Sequence, residues 1–260
     1  MQRRALMYSA LPIKRRNVAM ILHGCGVYDG SEIYETTSML IHLSKQKVNV
    51  SMFAPDKNQM HVINHLDGKP MSEIRNILTE SARLARGNIA PLRDLDVDKF
   101  DALFIPGGFG AAKNLSDFAL KNAECTVIPE VESVLKKFHS LKKPIGLCCI
   151  APVLAARCLP GVELTMGGDI DQNGRWPFAE ASAVAKQMGA KMIPKDMTAS
   201  FLSTSFSHAN YLSMLFSWID EIHVDEANKI VTTPAFMCGV TTLADVFDGI
   251  GKLVEAAIRI

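Results

Sequence analysis

Short apolar runs alternate with stretches of helical periodicity along most of the chain, and that alternation most restricts what it can fold into. Asn17–Leu22 is a short apolar run consistent with a buried strand, Val48–Ala54 and Ala102–Ile105 read as further strands, and Ile145–Leu147 reads as a buried one. Between the first two, Glu32–Gln46 carries Ile33, Thr37, Leu40, Ile41 and Ser44 at helical spacing, after Ser31, a good N-cap. Glu73–Arg86 reads as a second helix, and a helical pattern follows Gly110 to about Leu120. Pro129 suits the first turn of a helix ending near Ser140. Another helix starts at Ala151, and Pro177–Met188 and Thr241–Ile258 read as later ones. Val162–Thr165 and Ala190–Ile193 read as further strands. Val62–Pro70, with Asp67-Gly68, reads as a hairpin. Glu221–Thr233 reads as two strands around Asp225–Asn228, a small β-hairpin near the C-terminus. The pattern predicts an α/β fold: a doubly wound, mostly parallel sheet with helices on both faces. Ligands of such sheets sit at the carboxyl ends of the strands.

With 260 residues and 48% hydrophobic content, the chain fits a single domain over residues 17–260. Residues 1–16 form a basic tail or transit segment: Arg3, Arg4, Lys14, Arg15 and Arg16 precede the first acidic residue, Asp29. This predicts a mitochondrial protein, with the cytoplasm as the alternative. Residues 199–219 contain no Asp, Glu, Lys or Arg and read as an apolar insertion. Ser203, Thr204, Ser205, His208 and Asn210 interrupt that stretch, which argues against a membrane span. A net charge of +1 gives no reason to expect nucleic acid or an anionic membrane as partner. The six cysteines show no zinc-site spacing, which predicts no metal and a reducing compartment.

Three loops that follow strands carry the chemistry: residues 23–32, 106–110 and 148–152. Lys143-Pro-Ile-Gly-Leu-Cys-Cys-Ile-Ala-Pro152 reads as a strand entering a helix through a sharp turn, the geometry of a nucleophile elbow. Cys148 and Cys149 compete for its tip. Small residues are wanted on the helix side, where Cys149 has Ala151 and Cys148 has Ile150, so the turn favours Cys149. Strand alternation is expected to send the two side chains to opposite faces. A helix N-terminus is expected to lower the thiol pKa. The Ile150 backbone N–H would then serve an oxyanion. Gly107 and Gly108 allow close backbone approach, and Gly108 is assigned a second oxyanion N–H. Glu32 and Glu35, three apart, share one face of a helical first turn; either carboxyl could hold a proton near the sulfur. His23, at the end of the first strand, could face the same place.

These motifs together resemble the deglycase/PfpI branch of the class I glutamine amidotransferase-like superfamily, and within it the ElbB-type subfamily and its mitochondrial amidotransferase-like relatives. The matching stretches are Gly24–Glu32, Phe53–Asp56, Ile105–Leu115, Pro144–Pro152 and Val231–Met237. The resemblance implies a flavodoxin-like fold. It places the nucleophile at Cys149, through Cys-x-small-Pro, and the family's carboxylic acid at Glu35, through Glu-Thr. It implies a homodimer and glutathione-independent glyoxalase or deglycase chemistry, in which a small reactive dicarbonyl becomes a 2-hydroxy acid. Two features depart from the pattern. Ile150 stands where several members have histidine, and His223-Val-Asp225 is a poor substitute for the late His-Pro-Glu of true amidotransferases. The sequence therefore predicts a cofactor-free enzyme acting on a small carbonyl substrate through a Cys149 hemithioacetal, with Glu35 or His23 as proton relay. The alternative is a redox sensor or binding protein using the same thiol.

Overall fold

The computed structural model describes residues 15–195 and 221–260. The tail up to residue 14 and the apolar stretch 199–219 lie outside the described residues. At the centre is a seven-stranded sheet. Its strands are β1 (Asn17–Ile21), β2 (Asn49–Ala54), β5 (Ile89–Pro91), β6 (Ala102–Ile105), β7 (Ile145–Cys148), β10 (His223–Asp225) and β11 (Ile230–Thr233). The spatial order is β10-β11-β7-β6-β1-β2-β5. Every neighbouring pair is parallel except β10 with β11. Four short strands pair in two separate ribbons: β3 (Val62–Asn64) with β4 (Lys69–Met71), and β8 (Glu163–Leu164) with β9 (Lys191–Met192).

From β1 the chain winds outward through β2 to β5, then returns to β6 on the other side of β1. The winding reverses there, so the loops leaving β1 and β6 part and open a crevice at the carboxyl edge. Residues 18–22, 102–105 and 145–148 are buried on both sides of the sheet, as parallel strands covered on two faces must be. Gly146 faces the C-terminal helix, where an added Cβ would lie 3.0 Å from Leu253. Its neighbours Ile145 and Leu147 therefore face the opposite layer.

The helices bury periodic stripes. In α5 (Pro129–Ser140), Val131, Val134, Leu135 and Phe138 are buried at helical spacing, with Pro129 at the start. The C-terminal helix α8 (Leu243–Arg259) buries Val246, Ile250, Leu253, Val254 and Ala257 and packs on α1 (Ile33–Lys45). Thr242 and Asp245 close a capping box at its start. The other helices are α2 (Ile77–Leu84), α3 (Phe109–Lys113), α4 (Phe118–Lys121), α6 (Pro152–Cys158) and α7 (Ala179–Gln187).

Several local expectations change. The cap of α1 is Glu32, whose side chain accepts from Glu35 N; Ser31 Oγ accepts instead from His23 N, at 2.9 Å. The expected C-terminal hairpin forms, β10 pairing antiparallel with β11, and it belongs to the main sheet, where β11 pairs with β7 and β10 is the antiparallel edge. Residues 162–165 and 190–193 keep only the two short strands β8 and β9, outside that sheet. The helix expected up to Leu120 is divided into α3 and α4. Arg16 belongs to the folded unit: its carbonyl accepts from Asn49 N at 2.9 Å and its guanidinium donates to Ile258 O.

Candidate active site at the strand ends

Four loops meet at the carboxyl edge of the sheet, those after β1, β6, β7 and β11. At the end of β7 the backbone turns sharply. Cys149 has φ +58°, in the left-handed region that costs a non-glycine residue about 1 kcal/mol or more. Two bonds hold it there: Cys149 N donates to Thr233 O at the end of β11, and Ala151 N donates to Cys148 O, both at 3.0 Å. Helix α6 then starts at Pro152. This is the strand–turn–helix elbow expected from the sequence, with Cys149 at its tip and 8% exposed.

The left-handed residue also breaks the strand pleat, with a consequence the sequence reading had reversed. Cys148 and Cys149 do not go to opposite surroundings; both thiols reach the same carboxyl, that of Glu35. Cys148 Sγ lies 3.4 Å from Glu35 Oε2.

Glu35 sits in the first turn of α1 and is fully buried. Its Oε2 accepts from Gly107 N at 2.9 Å, and its Oε1 accepts from Phe236 N at 3.4 Å. Burial, followed by the charge of Glu32, pushes its pKa up to about 7; the two thiols and the Phe236 N–H pull the other way. Glu32 plays a different part. Its Oε2 accepts from Glu35 N at 2.6 Å and its own N donates to Gly107 O at 2.8 Å, which ties α1 to the glycine turn.

Gly107 and Gly108 are required by space. A Cβ on Gly107 would lie 2.3 Å from Cys149 Cβ and 2.5 Å from Glu35 Oε2. Gly108 has φ +100°, and its Cβ would lie 2.3 Å from Gly30 O. The backbone N–H groups of Gly108 and Ile150 lie beside the Cys149 sulfur and favour its thiolate. Burial and the Glu35 carboxylate outweigh them, and the Cys149 thiol is pushed well above its usual range. The lowering expected from the helix terminus is thus overturned. Helix α6 has only seven residues, and the desolvation cost of a buried thiolate exceeds what its short dipole returns.

His23 is also displaced from its expected position. It is fully buried, its Nε2 lies 3.0 Å from Pro106 O, and burial lowers its pKa to about 4. It fastens the β6 loop from behind and does not line the cavity; Glu35 does not line it either, but stands beside Cys149, which does. His223 lies in β10 and meets Glu163 Oε2 at 3.2 Å, also outside the cavity lining. Among the described residues, no cluster of His, Cys, Asp or Glu could hold a metal ion.

Cys149 opens into a cavity of about 450 Å³. Glu32, Gly108, Ile150 and Met237 line it together with Cys149, and Phe109, Phe118, Phe178 and Phe236 give it aromatic walls. The loop after β11 is the contribution that sequence reasoning missed. Thr233 O fixes the elbow and Phe236 N bonds Glu35, but these are backbone groups with no residue-type signature. The only available sign was the match of Val231–Met237 to family members.

Comparison with known proteins gives a consistent result. The chain is 48% identical over 258 residues to the rat ES1 protein homolog, mitochondrial, covering 99% of this chain and 88% of the relative. The same identity and coverage hold for the human glutamine amidotransferase-like class 1 domain-containing protein 3, mitochondrial. This chain belongs to the ES1/glutamine amidotransferase-like class 1 family. No family model matches it. A crystal structure of an isoprenoid biosynthesis protein with amidotransferase-like domain from Ehrlichia chaffeensis superimposes with a TM-score of 0.75 at 32% identity, covering 94% of this chain and 98% of that one. A ThiJ/PfpI domain protein from Brachyspira murdochii shares the fold, with a TM-score of 0.52 at 12% identity, covering 95% of this chain and 99% of that one. The ES1-family relatives of rat and human are mitochondrial by name, and mitochondrial localisation is the assignment for this chain.

Proposed function

We propose that the protein is a cofactor-free, cysteine-dependent glyoxalase-type enzyme that converts α-oxoaldehydes to 2-hydroxy acids. The observation that carries this reading is the Glu35 carboxyl: buried, with a pKa of about 7, and packed beside the Cys149 thiol across Gly107. A carboxyl titrating near neutrality can both accept and return a proton at working pH.

The steps follow from that pairing. The Glu35 carboxylate accepts the Cys149 S–H proton while sulfur bonds to the aldehyde carbon. The carbonyl electron pair moves to oxygen, where the N–H groups of Gly108 and Ile150 hold it. Protonation by the Glu35 carboxyl gives a hemithioacetal. Glu35 then removes the C–H proton from the sulfur-bearing carbon, and the resulting enediol is reprotonated on the neighbouring carbon. That leaves a hydroxyacyl thioester, and water releases the 2-hydroxy acid and the free thiol. The net change is addition of one water, so no external oxidant or reductant is required.

The redox-sensor alternative needs a thiolate at neutral pH, and the raised Cys149 pKa counts against it. The homodimer implied by family resemblance is carried as part of this proposal; light scattering at twice the chain mass supports it and a monomer mass removes it. The test of the chemistry is rapid quenching with glyoxal followed by peptide mass spectrometry. An acyl adduct confined to the Cys149 peptide supports the reading, and its absence during turnover contradicts it.

A further inference from the structure

The cavity is much larger than the smallest dicarbonyl requires, and its walls have a definite character. At about 450 Å³ it falls in the range that encloses ligands of many heavy atoms. Its aromatic walls include Phe109 and Phe178, whose rings meet edge to face at 6.4 Å between centroids. Such walls favour an apolar or aromatic occupant. The charged side chains among the described lining residues are both carboxylates: Glu32, buried, and Glu180, exposed at the rim.

No lysine or arginine is among those lining residues. Lys113 lies nearby, but its ammonium donates to Tyr28 O at 3.0 Å and sits over the Phe109 ring. Arg175 is buried beside the Trp176 ring and does not line the cavity either. A substrate carboxylate or phosphate entering here would meet like charge with no counter-ion among the described lining residues, and like-charge juxtaposition is a strong means of rejection.

We infer that the site takes an α-oxoaldehyde carrying an aromatic or bulky apolar substituent and no negative charge, in preference to glyoxal itself or to any anionic aldehyde. This rests on the glyoxalase-type reading and narrows it to a substrate class. Phe109 and Phe178 supply the apolar selection, and Glu180 supplies the charge selection at the rim.

Two measurements test it. In the first, kcat/KM is compared for glyoxal, phenylglyoxal and 4-carboxyphenylglyoxal. Phenylglyoxal is expected to exceed each of the others by about tenfold or more, which corresponds to about 1.4 kcal/mol. Glu180→Lys is expected to bring the carboxylated substrate to within about threefold of phenylglyoxal, by reversing the rim charge. In the second, which needs no turnover, Cys149 is alkylated by N-benzyl iodoacetamide and by N-(4-carboxybenzyl) iodoacetamide. Rates are normalised to those with 2-mercaptoethanol. The neutral reagent is expected to react about tenfold faster at Cys149 and the gap to narrow in Glu180→Lys. Equal normalised rates, or glyoxal as the best substrate, overturn the inference. Absent turnover with intact reagent selectivity removes the enzymatic reading and supports the preference of the cavity.

Discussion

Cys148 Sγ lies 3.4 Å from Glu35 Oε2, so the thiol that precedes the elbow bonds the carboxyl that packs beside the thiol at its tip. The carboxyl also takes the Gly107 N–H. Cys148 thereby acts on the reaction only through Glu35. Its thiol bond helps hold the Glu35 pKa down, so Cys148→Ala should raise that pKa and move the acid limb of the pH–rate profile to higher pH. Activity at the optimum should survive. An unchanged profile would show that the contact has no influence on the proton relay.

The pH profile of the unmodified protein follows from the same group. Glu35 accepts a proton only as carboxylate, and its pKa is about 7. Below that value the carboxyl is protonated, so kcat/KM should fall tenfold per pH unit on the acid side of about 7. Glu35→Gln should lower turnover by about 10²- to 10⁴-fold. It should also lower the pH midpoint for Cys149 alkylation, because the carboxylate that opposes the thiolate is gone. Loss of activity with a falling thiol pKa separates proton transfer from simple damage to the fold.

Stability carries a second signature of Glu35. Its folded pKa, about 7, lies above its ordinary value of 4.5. The folded state therefore binds the proton more tightly, and the stabilising contribution is fully present below about pH 4.5. It is lost as pH rises through about 7. The loss is about 3 kcal/mol at 1.36 kcal/mol per pH unit. Denaturant unfolding at several pH values should show Glu35→Gln gaining on the parent protein across that window. A pH-independent difference would contradict the burial-driven shift.

The glycine turn gives a steric prediction. Gly107→Ala places a methyl group 2.3 Å from Cys149 Cβ and 2.5 Å from Glu35 Oε2, so one of them must move. Activity should be lost and stability should fall by about 1–3 kcal/mol, the cost of forcing strain into a packed region. As a control away from the site, Thr242→Ala removes the cap of α8 and should cost about 1 kcal/mol with unchanged kcat/KM. Thermal melts and initial rates on the two variants read both effects.

The sequence made the frame of this fold legible wherever apolar continuity ran long enough to mark a strand. β1, β6 and β7 were visible for that reason, and the three loops after them pointed to Cys149, Glu35 and Gly108. β5 was not visible: Ile89–Pro91 is too short for a periodic signal and exists because β2 offers it a partner, Met52 against Ile89. Ser31 looked like a helix cap because its hydroxyl suits one, yet tertiary contact gave that oxygen to His23 N. His23 looked like a site residue because it ends a strand, while its ring is buried against Pro106 O. The direction of the Cys149 pKa was misjudged because burial depth has no local signature, and here burial exceeds the helix dipole.

The central claim is that one sulfur, at the tip of the elbow, does the chemistry. Initial rates of 2-hydroxy acid formation from phenylglyoxal by the parent protein, Cys149→Ser and Cys148→Ser test it most directly. The account predicts that Cys149→Ser is inactive and that Cys148→Ser retains substantial turnover. Equal rates for the parent protein and Cys149→Ser would contradict it.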